Sequence, residues 1–537
     1  MSLNADHSQP RVAVVGAGWA GLAAAFTLKL AGWHTEVFEQ SPVLVLGARK
    51  AVIARRGLVL DNGQHLMLGA YRHTLALMQD IGVDSNHALL RLPLQLATLD
   101  GALHLAVNPA HPGPLRLPLA LLRMKGLSLG EKYILFRTLL QLQLGGWRVA
   151  PDTTVFAWLQ KRRQPSALIH LFWEPLCIAT LNTPIGDASM ALFAVVLRDS
   201  LAAGAHASDL ILPRVDLSAL WPEVLAPQLM IHASTPVLGL SAGPGGYRLH
   251  TANRPSMPPR QTQDHGEIGH DPGHEGGPFF DAVILAAPAG MCHRLLSGLL
   301  PNQTNNRTDA PITDDHMQRT PHIVDDKHQP SLVEKRALLE HLNAFEYHAI
   351  ATLTVFLEHA FPLPGCMYML KENRQAGHDG QWLFNRSRFM HPDAATGSMD
   401  NASAIAATPD TSNSHFPNNR WPHAISIVIS HADHLIGMER DAIAHAILSQ
   451  VRDQLPAGIT LPPVTGFELI MEKRATFAAT PGLIRPDSVT PWPGLFLAGD
   501  WTDTGYPGVL EGAVMSGLAA AQAAQASLAS RTKPVTD

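Results

Sequence analysis

Apolar and polar positions near the start of the chain form two kinds of segment. VAVV at residues 12–15 has the β-branched composition of a buried parallel strand, and GLAAAFTLKLAG at residues 21–32 has that of a helix. HTEVFEQ at residues 34–40 predicts a second strand. The glycine-rich turn GAGWAG at residues 16–21 joins the first strand to the helix. Strand, turn, helix and strand in this order predict the opening βαβ unit of a parallel, Rossmann-type sheet.

Each glycine of this turn has a physical reason. Gly16 permits the tight turn, Gly18 lets the backbone approach a pyrophosphate, and Gly21 allows the helix to pack close to the strand. The phosphates would then lie at the N-terminus of the helix, which favours anions. Glu39 ends the second strand, where a carboxylate can hydrogen-bond the hydroxyls of an adenosine ribose. Because an acidic residue there disfavours a 2′-phosphate, NAD or FAD is expected rather than NADP.

A second glycine-rich motif lies near the end of the chain. LFLAGD at residues 495–500 predicts a short buried strand that ends in Gly-Asp. A turn with glycine and proline at residues 505–508 precedes GVLEGAVMSGLAAAQAA at residues 508–524, which predicts a helix. Glycine-rich turns at both ends of the chain indicate one extended ligand that contacts both.

These segments resemble the flavoprotein superfamily of amine oxidases and phytoene desaturases. In that superfamily the late Gly-Asp, here Gly499 and Asp500, contacts the ribityl and phosphate region of the flavin. The start of the following helix, here Val509 to Gly512 with Val509 and Leu510 as the expected contacts, points at the flavin N1 and O2 edge, where negative charge gathers on reduction.

Two further segments of the middle region carry the same resemblance. STPVLGL at residues 234–240 resembles the segment whose valine, here Val237, contacts the adenine through its backbone. FDAVILAAPA at residues 280–289 resembles the strand that follows it. The resemblance implies FAD as the cofactor. No cysteine follows Cys366, so we expect the FAD to be bound non-covalently.

A narrower resemblance covers most of residues 11–250 and 340–525. The chain is similar to the squalene-associated FAD-dependent desaturase family, whose characterised members are hydroxysqualene dehydroxylases of bacterial hopanoid pathways. The resemblance implies that a long apolar isoprenoid, hydroxysqualene, loses its hydroxyl and gains a hydride from N5 of the reduced flavin. The segments that carry it are DNGQHLMLGAYRHTLALM at 61–78, WEPLCIATLNTP at 173–184, SDLILPRVDLSALWP at 208–222, GQWLFNR at 380–386, EKRATF at 472–477 and GDWTDTGYPGVLEGAVMSG at 499–517.

The family resemblance also implies further site residues. The family has a GGRA-type turn after the acidic residue, and Gly47 and Arg49 match it within SPVLVLGARKAV at residues 41–52, which departs from the family by extra length and by Ala48. Gln64 is expected to organise its loop against the flavin ring. Because hydroxide is a poor leaving group, a general acid or a water chain is expected as well, and His65 and Asp503 are the titratable residues nearest the flavin by motif position.

The fold class expected from these patterns is α/β. A Rossmann-type FAD-binding domain with a parallel sheet is predicted at residues 1–75, 223–300 and 485–537. A discontiguous α+β substrate-binding domain is predicted at residues 76–222 and 330–484. The segments at 252–277, 302–329 and 391–421 are rich in Pro, Gly, Asn, Asp, Ser and His, which predicts flexible polar inserts.

Composition excludes several classes of protein. The 537-residue chain has a formal net charge of −5 and no basic run, which argues against binding of nucleic acid. Its three cysteines lack CxxC spacing, so neither a disulfide framework nor a zinc site is expected. The same cysteine content is compatible with a location in the reducing cytoplasm. The histidines of the inserts have no accompanying carboxylate or cysteine spacing, and no metal is assigned. No segment is long and apolar enough for a convincing transmembrane helix.

Two leucine-rich segments bear on the substrate. Residues 115–147 suit a core helix pair or an amphipathic face on a membrane, and core packing is preferred because leucine spacing does not separate burial from lipid contact. Residues 188–204 predict a buried helix beside a substrate tunnel. Peripheral contact with the inner face of the membrane is therefore an expected alternative to a wholly cytoplasmic location.

Three other functions compete with this hypothesis. A carotenoid-type desaturase would use the same fold and tunnel, and substrate trials discriminate it. An amine oxidase normally has an aromatic residue before the helix start, where this chain has Val509. A flavin-binding scaffold or lipid carrier has no positive feature in its favour. The sequence identifies no electron donor.

Overall fold

The computed structural model of the chain describes residues 9–41, 50–53, 58–111, 113–202, 204, 206–252, 277–301, 331–390 and 423–531. The predicted inserts at 302–329 and 391–421 lie outside the described residues, as does nearly all of the insert at 252–277. Gly47 and Arg49 also lie outside them.

Strands and α-helices follow one another along most of the described chain. The strands are β1 (Arg11–Val15), β2 (His34–Phe38), β3 (Lys50–Ile53), β4 (Leu58–Asp61), β5 (Met67–Leu68), β6 (Leu89–Leu92), β7 (Gln95–Ala97), β8 (His104–Ala106), β9 (Leu210–Pro213), β10 (Met230–His232), β11 (Val237–Gly243), β12 (Gly246–Thr251), β13 (Phe279–Phe280), β14 (Ala282–Leu285), β15 (Tyr347–Leu357), β16 (Met367–Met369), β17 (Trp382–Asn385), β18 (Ala424–Ser430), β19 (Val464–Phe477) and β20 (Leu495–Leu497). The helices are α1 (Trp19–Leu30), α2 (Arg72–Ile81), α3 (Ser85–Ala88), α4 (Gly113–Arg123), α5 (Leu129–Leu144), α6 (Val155–Lys161), α7 (Ser166–Leu168), α8 (Glu174–Leu181), α9 (Met190–Leu197), α10 (Leu217–Leu220), α11 (Pro222–Leu225), α12 (Ala289–Ser297), α13 (Leu332–Asn343), α14 (Arg440–Asp453) and α15 (Leu510–Arg531).

A five-stranded parallel sheet forms the first unit, with the strand order β10-β2-β1-β14-β20. Both faces of β1 are buried: Val12 and Val14 pack into the core that contains α1 and α15, whereas Ala13 and Val15 pack into the core on the other face. Burial on both faces explains why the strand is a continuous apolar run. The predicted βαβ unit, the late strand and the long terminal helix are confirmed.

A second sheet is antiparallel and has the strand order β16-β17-β18-β15-β19. Leu353, Ile425 and Ile427 of this sheet share a core with Ile443 and Ile447 of α14. A parallel sheet and a separate antiparallel sheet covered by helices confirm the predicted α/β class with a discontiguous α+β unit.

Helices α4 to α9 form a third region of the fold. Their inward side chains pack around the fully buried Trp173 and Phe193. The predicted helix at residues 188–204 is present as α9, which continues into a π-helical turn at Arg198–Ala202. The leucine-rich segment at residues 115–147 folds as the helix pair α4 and α5.

A small sheet, β5-β9-β6, connects the first unit to the others. Met67 of β5 pairs with Ile211 of β9, although the predicted boundary after residue 75 assigns them to different domains. The loop at residues 61–66 leads into β5 and is thereby held where the units meet. The exact domain boundaries stay predictions.

Candidate active site

A cavity of about 390 Å³ lies where the parallel sheet, the antiparallel sheet and the helical region meet. Twelve of its lining residues are leucines, which makes its wall predominantly apolar. Polar side chains also reach it, and seven of them come from three segments: the 61–66 loop, the end of β19 and the turn after β20. These seven are Asn62, Gln64, His65, Glu472, Thr476, Asp500 and Tyr506.

The glycines of the first turn have the geometry that the motif requires. Gly16 has a φ of +106°, and a Cβ there would lie 2.4 Å from the Ala286 carbonyl oxygen. A Cβ on Gly21 would lie 2.0 Å from the Gly16 carbonyl oxygen, so α1 packs directly on the turn. A Cβ on Gly18 would meet nothing within 4 Å. The backbone at Gly18 therefore faces open space, where a phosphate could approach the start of α1.

Glu39 lies beside this turn. One carboxylate oxygen accepts a hydrogen bond from Ala17 N at 2.8 Å, and the other accepts from Ser41 N at 2.9 Å. The segment before β11 runs alongside, because Thr235 N donates to the Glu39 carbonyl oxygen. Val237 follows two residues later at the start of β11 and is buried. The structure thus brings the predicted ribose-binding and adenine-binding residues to one edge of the parallel sheet.

The C-terminal motif is held by a side chain that sequence reasoning missed. Arg485 is largely buried and donates hydrogen bonds to the carbonyl oxygens of Asp500, Thr502 and Tyr506. Burial lowers the pKa of its guanidinium to about 10. Gly499 has a φ of +154°, and its N–H donates to Ser516 Oγ at 2.8 Å. Arg485 lies only 15 residues before Asp500, but nothing in its local sequence indicates this role.

Asp500 lies at the cavity wall and is partly buried. Burial raises the pKa of its carboxyl to about 6, although the positive charge of Arg485 opposes the rise. A Cβ on Gly508 would lie 3.3 Å from Asp500 Oδ2, so the turn before α15 passes close to this carboxyl. Val509 and Leu510 follow and line the same cavity. The predicted contacts of the late motif therefore share one wall.

Glu511, the next residue, lies inside the 509–512 segment of the resemblance, which assigns it no role of its own. Its buried carboxylate accepts hydrogen bonds from His73 N at 2.9 Å, Thr74 N at 2.9 Å and Thr74 Oγ1 at 2.7 Å. These amides belong to the first turn of α2, whose own N-cap residue, Tyr71, makes no side-chain capping bond. Glu511 thus caps α2 from another helix and fixes the start of α15 against it.

The 61–66 loop carries Gln64 and His65 to the cavity. Arg386 of the GQWLFNR segment donates to Gln64 Oε1 at 3.1 Å and is itself buried. His65 is partly buried in the cavity wall, and desolvation there lowers its pKa to about 4. His65 Nε2 and Thr352 Oγ1 are both buried and have no hydrogen-bond partner among the described residues. The imidazole is therefore neutral at physiological pH.

Asp503, the other predicted acid, lies elsewhere. Its side chain is exposed, and it is not among the residues that line the cavity. Its backbone N–H donates to the Pro486 carbonyl oxygen, which fits a turn residue. The motif spacing placed it near the flavin, but the turn directs its side chain to solvent.

A tyrosine and an aspartate that sequence reasoning missed line the cavity near Val509. The Tyr506 hydroxyl donates to Asp199 Oδ2, and Arg198 pairs with the same carboxylate at 2.5 Å. Burial raises the pKa of the Tyr506 phenol, and the hydrogen bond to Asp199 adds to this rise. The wall beside Val509 is therefore not aliphatic alone, since it includes one aromatic ring that is tied to a carboxylate.

The described residues fit FAD. The first turn of α1 has neither a side-chain cap nor an acidic residue, so its amides are free to donate hydrogen bonds to a pyrophosphate beside the open space at Gly18. Glu39 can also accept from a ribose, because a carboxylate offers about four lone-pair sites. At the other end, the partly buried Asp500 carboxyl is a ready partner for the hydroxyls of a ribityl chain.

One group of ligand-type side chains lies near the end of β18 and the start of β15. His348, His431 and Asp433 have ligand atoms within 4.8 Å of one another. His348 Nδ1 lies 3.2 Å from Asp433 Oδ2, and Asp433 Oδ1 accepts from Ala349 N. Hydrogen bonding accounts for this arrangement, and we assign no metal to it. Within the described part of the chain, no helix has the length and apolar character needed to cross a membrane.

Known families match both ends of the chain. A family model described as NAD(P)-binding Rossmann-like domain matches residues 14–81. A second, described as flavin containing amine oxidoreductase, matches residues 384–525. Among solved structures, cyclohexylamine oxidase from Brevibacterium oxydans is similar with a TM-score of 0.61 and 13% identity, over 97% of this chain and 100% of that chain. At that identity, the likeness shows the fold alone.

Curated relatives match nearly the full length. Hydroxysqualene dehydroxylase from Rhodopseudomonas palustris is 28% identical over 95% of this chain and 97% of that protein. The protein of the same name from Zymomonas mobilis is 24% identical over 95% of this chain and 98% of its own length. Zeta-carotene desaturase from Synechocystis is 34% identical, but over only 18% of this chain and 20% of that protein. The chain is an FAD-dependent oxidoreductase that matches the flavin containing amine oxidoreductase model in its C-terminal part, and over nearly its full length it is similar to proteins named hydroxysqualene dehydroxylase.

Proposed function

We propose that this protein converts hydroxysqualene to squalene by FAD-dependent reductive dehydroxylation, in hopanoid or triterpenoid biosynthesis. The observation that carries the proposal is the leucine-rich cavity that reaches Val509 and Leu510 at the start of α15. Full-length similarity to proteins named hydroxysqualene dehydroxylase supports it. When bound and reduced, FAD would supply the hydride that replaces the hydroxyl.

The apolar wall would bind the hydrocarbon chain and keep water away from the reacting carbon. Leucines of α4, α5 and α8 contribute to this wall, as do Phe172 and Trp382. Each methylene buried there contributes about 0.8 kcal/mol, so a long isoprenoid gains much of its affinity without polar contacts. Exclusion of water would protect an allylic cation while the carbon–oxygen bond breaks.

The polar end of the cavity would hold the hydroxyl. The balance of the reaction requires a hydride at carbon and a proton at oxygen, so that the hydroxyl leaves as water. His65 lines the cavity and has a buried, unpartnered Nε2. Because its pKa is lowered to about 4, we propose that the neutral ring donates a hydrogen bond to the hydroxyl and orients it. The proton would then arrive through water rather than from an imidazolium. Asp503 has no part in this proposal, because its side chain is exposed.

We retain the predicted FAD contacts as proposals. At the adenosine and pyrophosphate end they are Gly16, Gly18, Gly21, Glu39 and Val237, with Gly47 and Arg49 added by resemblance alone. At the flavin end they are Gln64, Gly499, Asp500, Val509 and Leu510. We propose non-covalent binding, because Cys177 and Cys292 are buried and the described chain has no cysteine beyond Cys366. Flavin that remains with the polypeptide after acid precipitation would contradict this.

For its location we propose the cytoplasm, with peripheral contact at the inner face of the membrane. Two observations support it: the three cysteines are free, and the proposed substrate is a membrane-soluble isoprenoid. The electron donor that reduces FAD is not proposed.

Anaerobic turnover tests the proposed reaction. Purified protein with chemically reduced FAD is incubated with hydroxysqualene in detergent, and the products are separated by mass. We expect squalene, and with FAD deuterated at N5 we expect the label at the carbon that lost oxygen. Squalene without label, under conditions where N5 does not exchange with solvent, would contradict direct hydride transfer. Desaturation of zeta-carotene or turnover of benzylamine by the same preparation, without squalene formation, would replace the proposal.

A further inference from the structure

Exposed apolar side chains are concentrated on the helix pair α4 and α5. Eighteen large apolar side chains of the described residues are exposed, and seven of them lie within 30 consecutive positions. We call these seven the α4–α5 face. They are Leu115, Leu122, Leu129, Tyr133, Phe136, Leu140 and Leu144. A contiguous exposed apolar surface is uncommon on a monomeric protein that is surrounded by water on all sides.

The exposed residues form one stripe along α5. Their spacing of four, three, four and four residues from Leu129 to Leu144 keeps them on one side of a helix with 3.6 residues per turn. The buried residues Leu135, Leu139 and Leu142 lie on the opposite side. The apolar residues of α5 thus divide into an inner set that packs into the protein and an outer set that faces solvent.

Helix α4 has the same two sides. Leu115 and Leu122, seven residues apart, are exposed, whereas Leu117 and Leu121 line the cavity together with Leu139 of α5. Lys132 Nζ donates to the Leu122 carbonyl oxygen at 3.0 Å and joins the start of α5 to the end of α4. Because the inner sides of both helices face the cavity, their outer sides face away from it together. The helix pair is a single layer between the cavity and the outer surface.

Charge distinguishes this region from the rest of the chain. Residues 113–148 contain six Arg and Lys residues and one Glu, in a chain whose formal net charge is −5. The one acid, Glu131, is occupied in the capping box of α5 with Ser128. Lys132 and Arg137 fall on opposite flanks of the α5 stripe by helical position, and Lys125 and Arg148 lie beyond its two ends. An apolar stripe with flanking cations matches a helix that lies in the interface of an anionic membrane.

We propose that the α4–α5 face docks the protein on the surface of an anionic phospholipid bilayer. Leucine, tyrosine and phenylalanine side chains insert among the acyl chains, while the flanking cations contact the headgroups. The cavity then lies one helix layer above the membrane. The proposal rests on the proposed function only for its biological reason, which is that a bilayer holds an isoprenoid substrate. Docking itself requires neither substrate nor turnover.

Vesicle flotation with the FAD-bound protein tests the proposal without substrate. We expect stronger binding to mixed phosphatidylcholine and phosphatidylglycerol vesicles than to phosphatidylcholine alone, with the difference lost at high salt. The variant Leu129→Ser, Tyr133→Ser, Leu144→Ser should reduce the partition coefficient by about tenfold or more. The variant Lys125→Gln, Arg137→Gln, Arg148→Gln should remove only the preference for anionic vesicles.

A matched control uses equally exposed apolar residues elsewhere. Leu30, Val333 and Val489 are 67%, 75% and 63% exposed, compared with 74%, 64% and 79% for Leu129, Tyr133 and Leu144. The triple serine variant at the control positions should float like the wild type. Equal losses in both triple variants, or wild-type protein that fails to float with anionic vesicles, would overturn the proposal.

Two further measurements distinguish docking on a bilayer from dimerisation through the same face and from loss of catalysis. Sedimentation without vesicles reports the mass: a wild-type dimer that the α4–α5 variant converts to a monomer would assign the face to a second copy and overturn the proposal. Turnover of hydroxysqualene in detergent should be unchanged in the α4–α5 variant, whereas turnover of vesicle-borne substrate should fall with the partition coefficient. Flotation without any dehydroxylase activity would refute the proposed function and leave docking intact.

Discussion

Replacement of Glu511 by alanine tests how the start of α15 is held. The carboxylate lies at the junction of α15 and α2, 437 residues from Thr74 in sequence, and it accepts from two backbone amides and one hydroxyl of α2. Alanine removes all three of these bonds, and because Thr74 is wholly buried, bulk solvent does not reach its freed donors. The residue is therefore a stronger determinant of stability than an ordinary helix cap.

The cost can be estimated group by group. Thr74 N and Oγ1 become unsatisfied buried donors, and each contributes about 1 to 3 kcal/mol to the loss. The bond from His73 Nδ1 adds little, because the His73 side chain is half exposed. Removing a buried carboxylate returns part of this cost, since the carboxylate was itself desolvated. We expect a net loss of about 3 kcal/mol in the free energy of unfolding.

Urea unfolding with and without added FAD measures both consequences. Glu334→Ala is the matched control, because Glu334 also bonds the N-terminus of a helix, α13, but is exposed. It should lose about 1 kcal/mol or less. Glu511→Ala should also weaken FAD binding, because Val509 and Leu510 depend on the position of α15, whereas Glu334→Ala should not. Equal losses in the two variants, at unchanged m-value, would refute the reasoning.

Three further predictions concern the cofactor turn, the substrate wall and pH. Gly18→Val should abolish FAD binding while the protein still folds, whereas Gly21→Ala should destabilise the fold itself. The reason is that a Cβ at Gly21 would lie 2.0 Å from a backbone atom, whereas a Cβ at Gly18 would meet nothing within 4 Å. Equal melting temperatures of the two variants by circular dichroism would contradict this. Val509→Tyr should retain FAD yet block the long substrate, because an added ring overfills the wall, and full dehydroxylase activity in that variant would count against the proposed substrate. The pKa of His65 is 6.5 when unfolded and about 4 when folded, so the stability it contributes is complete above pH 6.5 and falls by up to about 3 kcal/mol as the pH falls to 4. His65→Gln should lack that part of the acid destabilisation in urea titrations, and an unchanged pH profile would show that His65 titrates normally.

The elements at the proposed adenosine end followed from the sequence because their determinants are local. Gly16, Gly18 and Gly21 are needed within six residues of one another, and Glu39 follows on the next strand. The hydrogen bond from Ala17 N to Glu39 crosses 22 residues, which is short enough for a single βαβ unit to define. Local propensity and the tertiary contact agree here, so the pattern was sufficient.

The supports of the flavin end could not be derived in the same way. Glu511 lies inside a quoted motif, yet its partners are in α2, and Asp199, the partner of Tyr506, is 307 residues away. Arg485 contacts the late motif through backbone carbonyl oxygens, which no sequence pattern encodes. The sequence offered only a weaker signal for these supports, which is that an acid or arginine buried near a glycine-rich turn destabilises the fold unless it is paired.

Asp503 shows a different limit of prediction from a sequence motif. Its position three residues after Asp500 suggested that both carboxyls face the flavin, but the turn between them points one inward and the other to solvent. Proximity in a motif constrains the distance between backbones and not the direction of side chains. His65 is different, since the polar loop that precedes β5 is anchored by Arg386 through Gln64 and leaves the histidine facing the cavity.

The leucine-rich helix pair α4 and α5 has features that fit both hypotheses that its sequence allowed, core packing and membrane contact. Core packing and membrane contact were alternatives because leucine spacing alone does not show what a leucine contacts. In the structure, α4 and α5 have leucines on two opposite sides, one facing the cavity and the other facing solvent. The same architecture occurs in an amine oxidase with only 13% identity, so the fold does not select the substrate. Selection of the substrate must come from the residues that line the cavity. Twelve leucines and Val509 favour a hydrocarbon chain. The Asp199 carboxylate is already neutralised by Arg198 and accepts a hydrogen bond from Tyr506. An ammonium group would find that carboxylate occupied, whereas a hydroxyl needs only one hydrogen-bonding partner at the end of an apolar cavity, and His65 can be that partner.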